Sequence, residues 1–173
     1  PIGVGSFLRQ WNWKPEHMQE VYWGDTIELA PDVRLISTPC QHRSGRWIKK
    51  NRTLWTSYVL EIHGYRLFLG GDSGYNKHFK DIGDTYGPFD LAILENGQYN
   101  LSWAKNHCFP EQTVYAAQNL NTQMVLPVHW ARFASAYHIW NEPVKELLPL
   151  MDNAGIPVTI PCIGEPYTIG TPP

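Results

Sequence analysis

The sequence predicts a layered α/β fold. From residue 56 onward, short apolar segments bounded by glycine or proline alternate with longer segments of helical character. Strands that alternate with helices are typical of layered α/β domains. The chain has 173 residues, 43% of them hydrophobic, and no repeat or linker divides it. A chain of this length can bury one sizeable core, so we expect a single domain over residues 1–173.

The first part of the chain is predicted to contain mostly strands. Short helical turns are expected in residues 5–11 and 13–23, followed by three strands at Val33–Pro39, Thr56–Ile62 and Tyr65–Leu69. His63 and Gly64 join the last two strands, and a two-residue link that ends in glycine favours a tight hairpin. The polar residues 41–53 show no periodicity, which predicts a loop.

The second part alternates helices with strands. The predicted elements are a helix around Lys77–Ile82, a strand at Asp90–Glu95, a helix at Pro110–Leu120, a strand at Gln123–Pro127, a helix at Glu142–Gly155 and a last strand at Pro157–Pro161. Pro110 and Glu111 stand where a first helical turn favours them. Pro149 is expected to kink or end its helix, which closes at Gly155.

Composition excludes several classes of partner. The formal net charge is −2 and the basic residues form no long run, which argues against nucleic acid. No apolar stretch has the length of a membrane span. Three widely spaced cysteines are typical of reduced thiols in a cytosolic protein rather than of a disulfide framework. We therefore expect a cytoplasmic protein that does not bind nucleic acid.

Three side chains that can bind metals follow the ends of separate predicted strands. His42, Asp72 and His129 occupy these positions, and α/β folds commonly place their sites at strand ends. Glycines on both sides of Asp72 permit unusual backbone angles or close approaches. Two plainer interpretations remain open from the residues alone. Asp72 could cap the following helix, and a single histidine is often a hydrogen-bonded structural residue.

Six motifs carry a family resemblance. In chain order they are TPCQHRSGR, KNRTLW, GGDSGY, GPFDLAIL, NHCFPEQ and LPVHWARF. Together they resemble the second half of the metallo-β-lactamase superfamily. Among its branches they are similar to the N-acylphosphatidylethanolamine phospholipase D-like hydrolases, with ascorbate-phosphate lactonases as more distant relatives. The resemblance runs from about Ile36 to Pro143. One segment departs from it, because ILENGQY stands where the phospholipase branch has a segment of the IPIGAY type.

The resemblance implies a fold and a metal site. The fold is an αββα sandwich, of which this chain would form the C-terminal half as a mixed sheet with flanking helices. The site holds two divalent metal ions, usually zinc, at one edge. By position, His42 would bind the first metal, Asp72 would bridge both and His129 would bind the second. Asp72 and His129 are then the catalytic candidates for a reaction that uses a metal-bound hydroxide.

The family's H-x-H-x-D-H signature is absent. The seven histidines stand at 17, 42, 63, 78, 107, 129 and 138, and no two are separated by one residue. We interpret the chain as a C-terminal portion that lacks the first half of the fold. Two ligands per metal should then bind weakly, so the metal site is expected to be empty or partly filled in this portion alone. The sheet should also expose apolar surface, which a second copy or the missing half would cover.

Three further residues are candidates for substrate binding. His107 matches a histidine at the family's site mouth, and capping of the Pro110 helix is the alternative. Arg46 could hold an anionic substrate by forked hydrogen bonds. His138 could line the same pocket, with a surface role as its alternative.

Three other residues are expected to have supporting roles. Arg52 could also hold an anion, but pairing with acidic groups is the preferred interpretation. Glu95 is either a partner that supports the metal ligands or an ordinary carboxylate at a strand end. Cys40 is interpreted as a packed residue rather than a nucleophile.

The resemblance thus implies a metal-dependent hydrolase with a small-molecule or lipid substrate, which acts on a phosphodiester in the manner of phospholipase D. Alternatives are a lactonase or other ester hydrolase of the same fold, or a non-catalytic binding module. The presence of His42, Asp72 and His129 together argues against the module.

Overall fold

The computed structural model describes residues 1–46, 49–133 and 135–169. Its helices are α1 Gly5–Gln10, α2 His78–Tyr86, α3 Pro110–Leu120 and α4 Glu142–Asn153, with short 3₁₀ turns at Pro15–His17 and Leu101–Trp103. Its strands are β1 Thr26–Ala30, β2 Val33–Pro39, β3 Gly45–Arg46, β4 Lys49–Lys50, β5 Thr56–Ile62, β6 Tyr65–Leu69, β7 Leu91–Glu95 and β8 Val125–Val128. Among the described helices, none has the length and apolar character needed to cross a bilayer.

Six strands form one mixed sheet in the order β1-β2-β5-β6-β7-β8. The first four strands pair antiparallel, and β6, β7 and β8 pair in parallel through the crossover helices α2 and α3. The hairpin between β5 and β6 turns at His63 and Gly64, whose φ angles are 48° and 87°. Two positive φ angles suit the right-handed twist of the paired strands, so the predicted tight hairpin is confirmed.

The hydrophobic core lies on one face of the sheet. A row of side chains from five neighbouring strands forms its base, consisting of Ile36, Val59, Phe68, Ala92 and Val125. The helices α2, α3 and α4 pack on this row and contribute the other half of the core. The mixed sheet with helices on one face confirms the predicted α/β class.

The opposite face of the sheet is also apolar but is less completely covered. Side chains alternate between the two faces along each strand. Those on this face include Tyr58, Leu69, Ile93 and Leu126, which are all partly exposed. An apolar sheet face normally packs against a second layer. That another copy or another part of the protein covers this face stays a prediction.

One strand was missed and one strand prediction was wrong. The edge strand β1 was not predicted, although Ile27 and Leu29 alternate with Thr26 and Glu28 in the sequence; in the structure only Ile27 of this strand is partly buried. The strand predicted at Pro157–Pro161 is reduced to an isolated parallel bridge between Val125 and Val158. Proline at both ends of this segment removes two backbone N–H donors, which limits further pairing.

Two boundary predictions need correction as well. Pro149 does not end α4, which continues through it to Asn153, and the predicted kink stays a prediction. Gly155, with φ of 67°, follows the helix end as predicted. The loop predicted at residues 41–53 contains the two-residue strands β3 and β4, while residues 47 and 48 lie outside the described residues.

Core packing predicts a position-dependent loss of stability along α4. Leu147 is 0% exposed and Leu148, the next residue, is 40% exposed. Leu147→Ala should lower the free energy of unfolding by about 2–5 kcal/mol, because it leaves a cavity under the helix. Leu148→Ala should cost about 1 kcal/mol or less. Urea unfolding followed by circular dichroism measures both, and equal losses would contradict the assigned orientation of α4.

Candidate metal centre

The loops after β2 and β6 are joined by two hydrogen bonds, one between backbone groups and one to a side-chain hydroxyl. The Gly74 N–H donates to the Gln41 carbonyl at 2.8 Å, and the Gln41 N–H donates to Ser73 Oγ at 2.9 Å. Ser73 is 1% exposed. Since β2 and β6 are separated in the sheet by β5, these bonds bring together two loops that strand pairing alone does not join. His42 directly follows Gln41 and Asp72 directly precedes Ser73, so these bonds hold the two residues side by side.

Glycine makes the close approach of the Asp72 loop possible. Gly71 adopts a φ of 62°, in the left-handed region that side chains disfavour. A Cβ at Gly74 would lie 2.2 Å from the carbonyl oxygen of Lys105. The Asp72 loop therefore lies directly against the segment that leads to His107. Gly71 thus provides the unusual backbone angle and Gly74 the close approach that the sequence predicts for this loop.

His129 occupies a strained backbone position after β8. Its φ is 67°, which is uncommon for a residue with a side chain and is typical of sites where surrounding structure compels it. The neighbouring loop fixes this conformation. The Asn96 N–H donates to the Val128 carbonyl at 2.9 Å, and a Cβ at Gly97 would lie 2.5 Å from the His129 carbonyl oxygen.

The three predicted ligands lie around one cleft, together with His107. His129 Nε2 is 3.8 Å from Asp72 Oδ2. Ligand-type atoms of His42, Asp72 and His107 all lie within 4.8 Å of one another. The His107 ring stands between the other two imidazoles, with centroids 5.3 Å from His42 and 5.2 Å from His129. The cleft has a volume of about 340 Å³, and Arg43 also lines it.

The histidines are arranged as ligands to a metal ion commonly are. His42 Nδ1 lies 2.8 Å from the Arg43 carbonyl oxygen, which can only accept, so Nδ1 is the donor and Nε2 is the nitrogen available to a metal ion. This pattern orients ligating histidines in metalloproteins. Burial lowers the pKa of His129 below its ordinary value, although the Asp72 carboxylate partly opposes this shift. The lowered pKa favours the neutral ring at neutral pH. A neutral imidazole is the form that binds metal.

Asp72 and His107 are not helix caps. Helix α2 begins at His78 with Lys77 at its N-cap, and Phe109 occupies the N-cap of α3. The alternatives that the sequence left open for Asp72 and His107 are therefore excluded by the element boundaries.

His138 needs correction. The ring is 8% exposed, so it has no surface role. The Gln98 N–H donates to His138 Nε2 at 2.8 Å, and His138 Nδ1 lies 3.1 Å from the Ile139 carbonyl oxygen. Because both ring nitrogens serve backbone groups, we correct its assignment from substrate binding to support of the loop. The Arg46 side chain lies outside what the structure describes, so that candidate stays a prediction.

Gln98 is a site residue that sequence reasoning missed. Its Oε1 accepts from the N–H groups of Ser135 and Ala136, and its carbonyl accepts from Trp103 Nε1. These bonds tie the loop after β7 to the loop after β8 beside the cleft. The available signal was the ILENGQY segment, which stands out from the phospholipase pattern and contains Gln98.

Cys40 is a packed residue, in agreement with its sequence interpretation. The side chain is 9% exposed, and burial, with a smaller contribution from the Asp72 charge, raises the pKa of its thiol to about 12. A thiol that stays protonated at neutral pH is a poor nucleophile.

The family of the chain follows from this fold and site. A family model described as a beta-lactamase superfamily domain matches residues 1–130. That is more than half of the chain, which therefore belongs to the metallo-β-lactamase superfamily.

Relatives of the chain include proteins with and without a described activity. It is 36% identical over 168 residues to an uncharacterized protein of Mycobacterium tuberculosis, covering 95% of this chain and 45% of that protein. It is 44% identical over 127 residues to the outer membrane protein RomA of Klebsiella pneumoniae, covering 69% of this chain and 96% of RomA. It is 32% identical over 149 residues to the mitochondrial N-acyl-phosphatidylethanolamine-hydrolyzing phospholipase D of Saccharomyces cerevisiae, covering 81% of this chain and 32% of that protein. The chain thus spans less than half the length of the mycobacterial relative.

A solved structure supports the fold. A metallo hydrolase from the archaeon Ignicoccus hospitalis matches with a TM-score of 0.69 and 20% identity, covering 92% of this chain and 62% of that one. At this identity the likeness concerns the fold alone, and it confirms the predicted fold class.

The strained position of His129 predicts a specific sensitivity at Gly97. Gly97→Ala places a methyl group against the His129 carbonyl oxygen and should displace that histidine. Affinity for zinc, measured by calorimetry, should fall by about 10-fold, as for other residues that orient ligands. Gly64→Ala is the control, because Gly64 lies in the β5–β6 hairpin, away from the cleft, and the structure places no described atom within 4 Å of the added Cβ. Unchanged zinc affinity in a folded Gly97→Ala variant would contradict the role of this contact.

Proposed function

We propose that the protein is a metal-dependent hydrolase that acts on phosphodiesters. The observation that carries this proposal is the convergence of His42, Asp72 and His129 on one cleft, within the distances described above. Two imidazoles and a carboxylate form the donor set that suits zinc and similar divalent ions. Asp72 would bridge two ions, with His42 on one and His129 on the other.

The residues of the cleft fit this chemistry. Divalent ions, when bound, lower the pKa of water toward neutrality and polarise a phosphoryl or carbonyl oxygen. Arg43 lines the cleft and can attract an anionic phosphodiester. Burial is the largest influence on the pKa of His107 and lowers it, although the Asp72 charge opposes this shift. His107 is therefore neutral in neutral solution and can exchange a proton at the cleft.

A phosphodiester is preferred over the alternatives for two reasons. Its negative charge complements Arg43, and the yeast relative is named as an N-acyl-phosphatidylethanolamine-hydrolyzing phospholipase D. A lactone or another ester is the alternative substrate of the same site. A binding module without activity is less favoured, because it would have no need of the ligand geometry or of the strained His129.

The remaining parts of the proposal concern the whole protein. We propose that further metal ligands come from a part of the fold that precedes this chain, packed on the partly exposed face of the sheet. Zinc as the metal and the cytoplasm as the location are proposals of the same kind. The RomA relative is named as an outer membrane protein, so fractionation of cells is the direct test of location.

The activity has a direct test. The full-length protein should hydrolyse a chromogenic phosphodiester faster than a chromogenic lactone, lose this activity to a chelator and regain it with zinc. Faster lactone hydrolysis would select the alternative substrate. The enzyme proposal would be refuted, and the binding module favoured, if the folded protein hydrolysed neither compound with any divalent metal.

The proposed roles predict an order among variants of the cleft. Asp72→Ala should lose more kcat/KM than His107→Ala, because a bridging carboxylate sets both metal positions whereas His107 contacts the reacting molecules. Each 10-fold difference corresponds to about 1.4 kcal/mol of barrier, which steady-state kinetics resolves easily. Metal content measured on both variants gives the control, since only Asp72→Ala should lose metal. Equal losses of activity and metal would mean that the roles are wrongly assigned.

A further inference from the structure

Trp103 forms an apolar wall of the cleft. It ends the 3₁₀ turn Leu101–Trp103, and it is the only large apolar side chain among the described residues that line the cleft. Its Nε1–H donates to the Gln98 carbonyl at 2.7 Å. Because the indole has no other polar atom, the part of the ring that lines the cleft offers only apolar surface to a bound molecule.

Backbone hydrogen bonds on both sides of Trp103 hold it in place. The Trp103 N–H donates to the Asn100 carbonyl at 3.0 Å, and the Asn106 N–H donates to the Trp103 carbonyl at 2.8 Å. The Asn100 side chain also caps the turn, because its Oδ1 accepts from the Ser102 N–H at 2.9 Å. A wall that is fixed before a ligand arrives loses little freedom on binding, which favours recognition.

Gln98 supports the same side of the cleft. Its Oε1 accepts from the N–H groups of Ser135 and Ala136 at 2.7 and 3.0 Å, and its Nε2 donates to the Phe133 carbonyl at 2.5 Å. Both polar atoms of the side chain are therefore bonded to backbone groups. Gln98 thus fixes the wall rather than binding a polar substituent of the ligand.

Apolar surface also lies on the segments that Gln98 joins. Leu101, in the same turn as Trp103, is 86% exposed, and Phe133 is 67% exposed. Exposed apolar side chains that border a groove can extend its binding surface. Arg43 lines the cleft as well, so the cleft combines a positive charge with an apolar wall. This combination suits a molecule that carries an anionic group beside an apolar one.

We propose that Trp103 is a specificity-determining residue that packs against an apolar group of the substrate, so that the cleft selects phosphodiesters with an apolar substituent over small ones. The inference deepens the proposed function and rests on it for the bond that is cleaved. Arg43 attracts the charged part of the substrate, and the indole ring binds the uncharged part.

Two pairs of compounds that differ in one substituent test this preference on the zinc-loaded full-length protein. The substrates are methyl and phenyl p-nitrophenyl phosphate, which share a leaving group, and the inhibitors are methylphosphonate and phenylphosphonate. Stacking of the phenyl ring on the indole should make the inhibition constant of phenylphosphonate about 10-fold lower than that of methylphosphonate. The phenyl ester should likewise have the higher kcat/KM. Equal inhibition constants for the two phosphonates would overturn the proposal.

Variants of Trp103 separate binding of the substituent from support of the fold. Trp103→Ser should bring the phenyl-to-methyl ratio close to one and leave the methyl compounds little changed, since a methyl group gains little from the wall. Trp103→Phe keeps an aromatic ring and should retain most of the preference. Trp11→Ser is the matched control, because Trp11 is 61% exposed at the end of α1 and does not line the cleft. Equal losses for methyl and phenyl compounds in folded Trp103→Ser would reveal a structural role and overturn the proposal.

Calorimetry with the phosphonates distinguishes this inference from the proposed function, because their binding needs no turnover. A protein that hydrolyses neither ester, but prefers phenylphosphonate in a manner that Trp103→Ser abolishes, would refute the proposed function and uphold the wall. Hydrolysis of both esters with a phenyl-to-methyl ratio that Trp103→Ser leaves unchanged would uphold the proposed function and refute the role of Trp103.

Discussion

The hydrogen bonds that join Gln41 to the Ser73–Gly74 segment are the constraint on which the rest of the site depends. They run in both directions between the loops after β2 and β6, and Ser73 at their centre is buried. Strand pairing cannot do this, because β5 separates the two strands. Each loop carries one metal-ligating type of side chain directly beside the joint. The positions of His42 and Asp72 relative to each other thus depend on these two hydrogen bonds.

Backbone conformation also positions the histidine on the other side of the cleft. His129 is held in the left-handed region, and Gly97 provides the space that its carbonyl group needs. Such strain costs roughly 1–3 kcal/mol and persists only where surrounding structure compensates for it. Here the parallel pairing of β7 and β8 and the large core beneath them supply that compensation. The stable sheet therefore supports a site whose own backbone is unfavourable.

A second layer of polar groups then fixes the imidazoles. His42 is oriented by a carbonyl group and His107 by a buried carboxylate, so each ring has one nitrogen committed to the protein and one left for the cleft. Gln98 joins the loops after β7 and β8 in the same neighbourhood. Glu95 and Gln98 both belong to the ILENGQY segment, so this one segment supplies two of the groups that support the site.

The sequence by itself determined the elements whose signals are local. The β5–β6 hairpin follows from His63-Gly64, α3 from Pro110 and its apolar face, and the α/β class from the alternation of strands and helices. It also predicted that His42, Asp72 and His129 follow strand ends, because strand boundaries are marked by proline and glycine. The tertiary structure alone decided what depends on residues distant in the chain. Edge strand β1 forms only because β2 lies beside it, and Pro149 stays helical within a packed α4. His138 and Glu95 acquire their roles from hydrogen bonds to residues 40 and 12 positions away. Such bonds depend on loop packing, which leaves no periodic trace in the sequence.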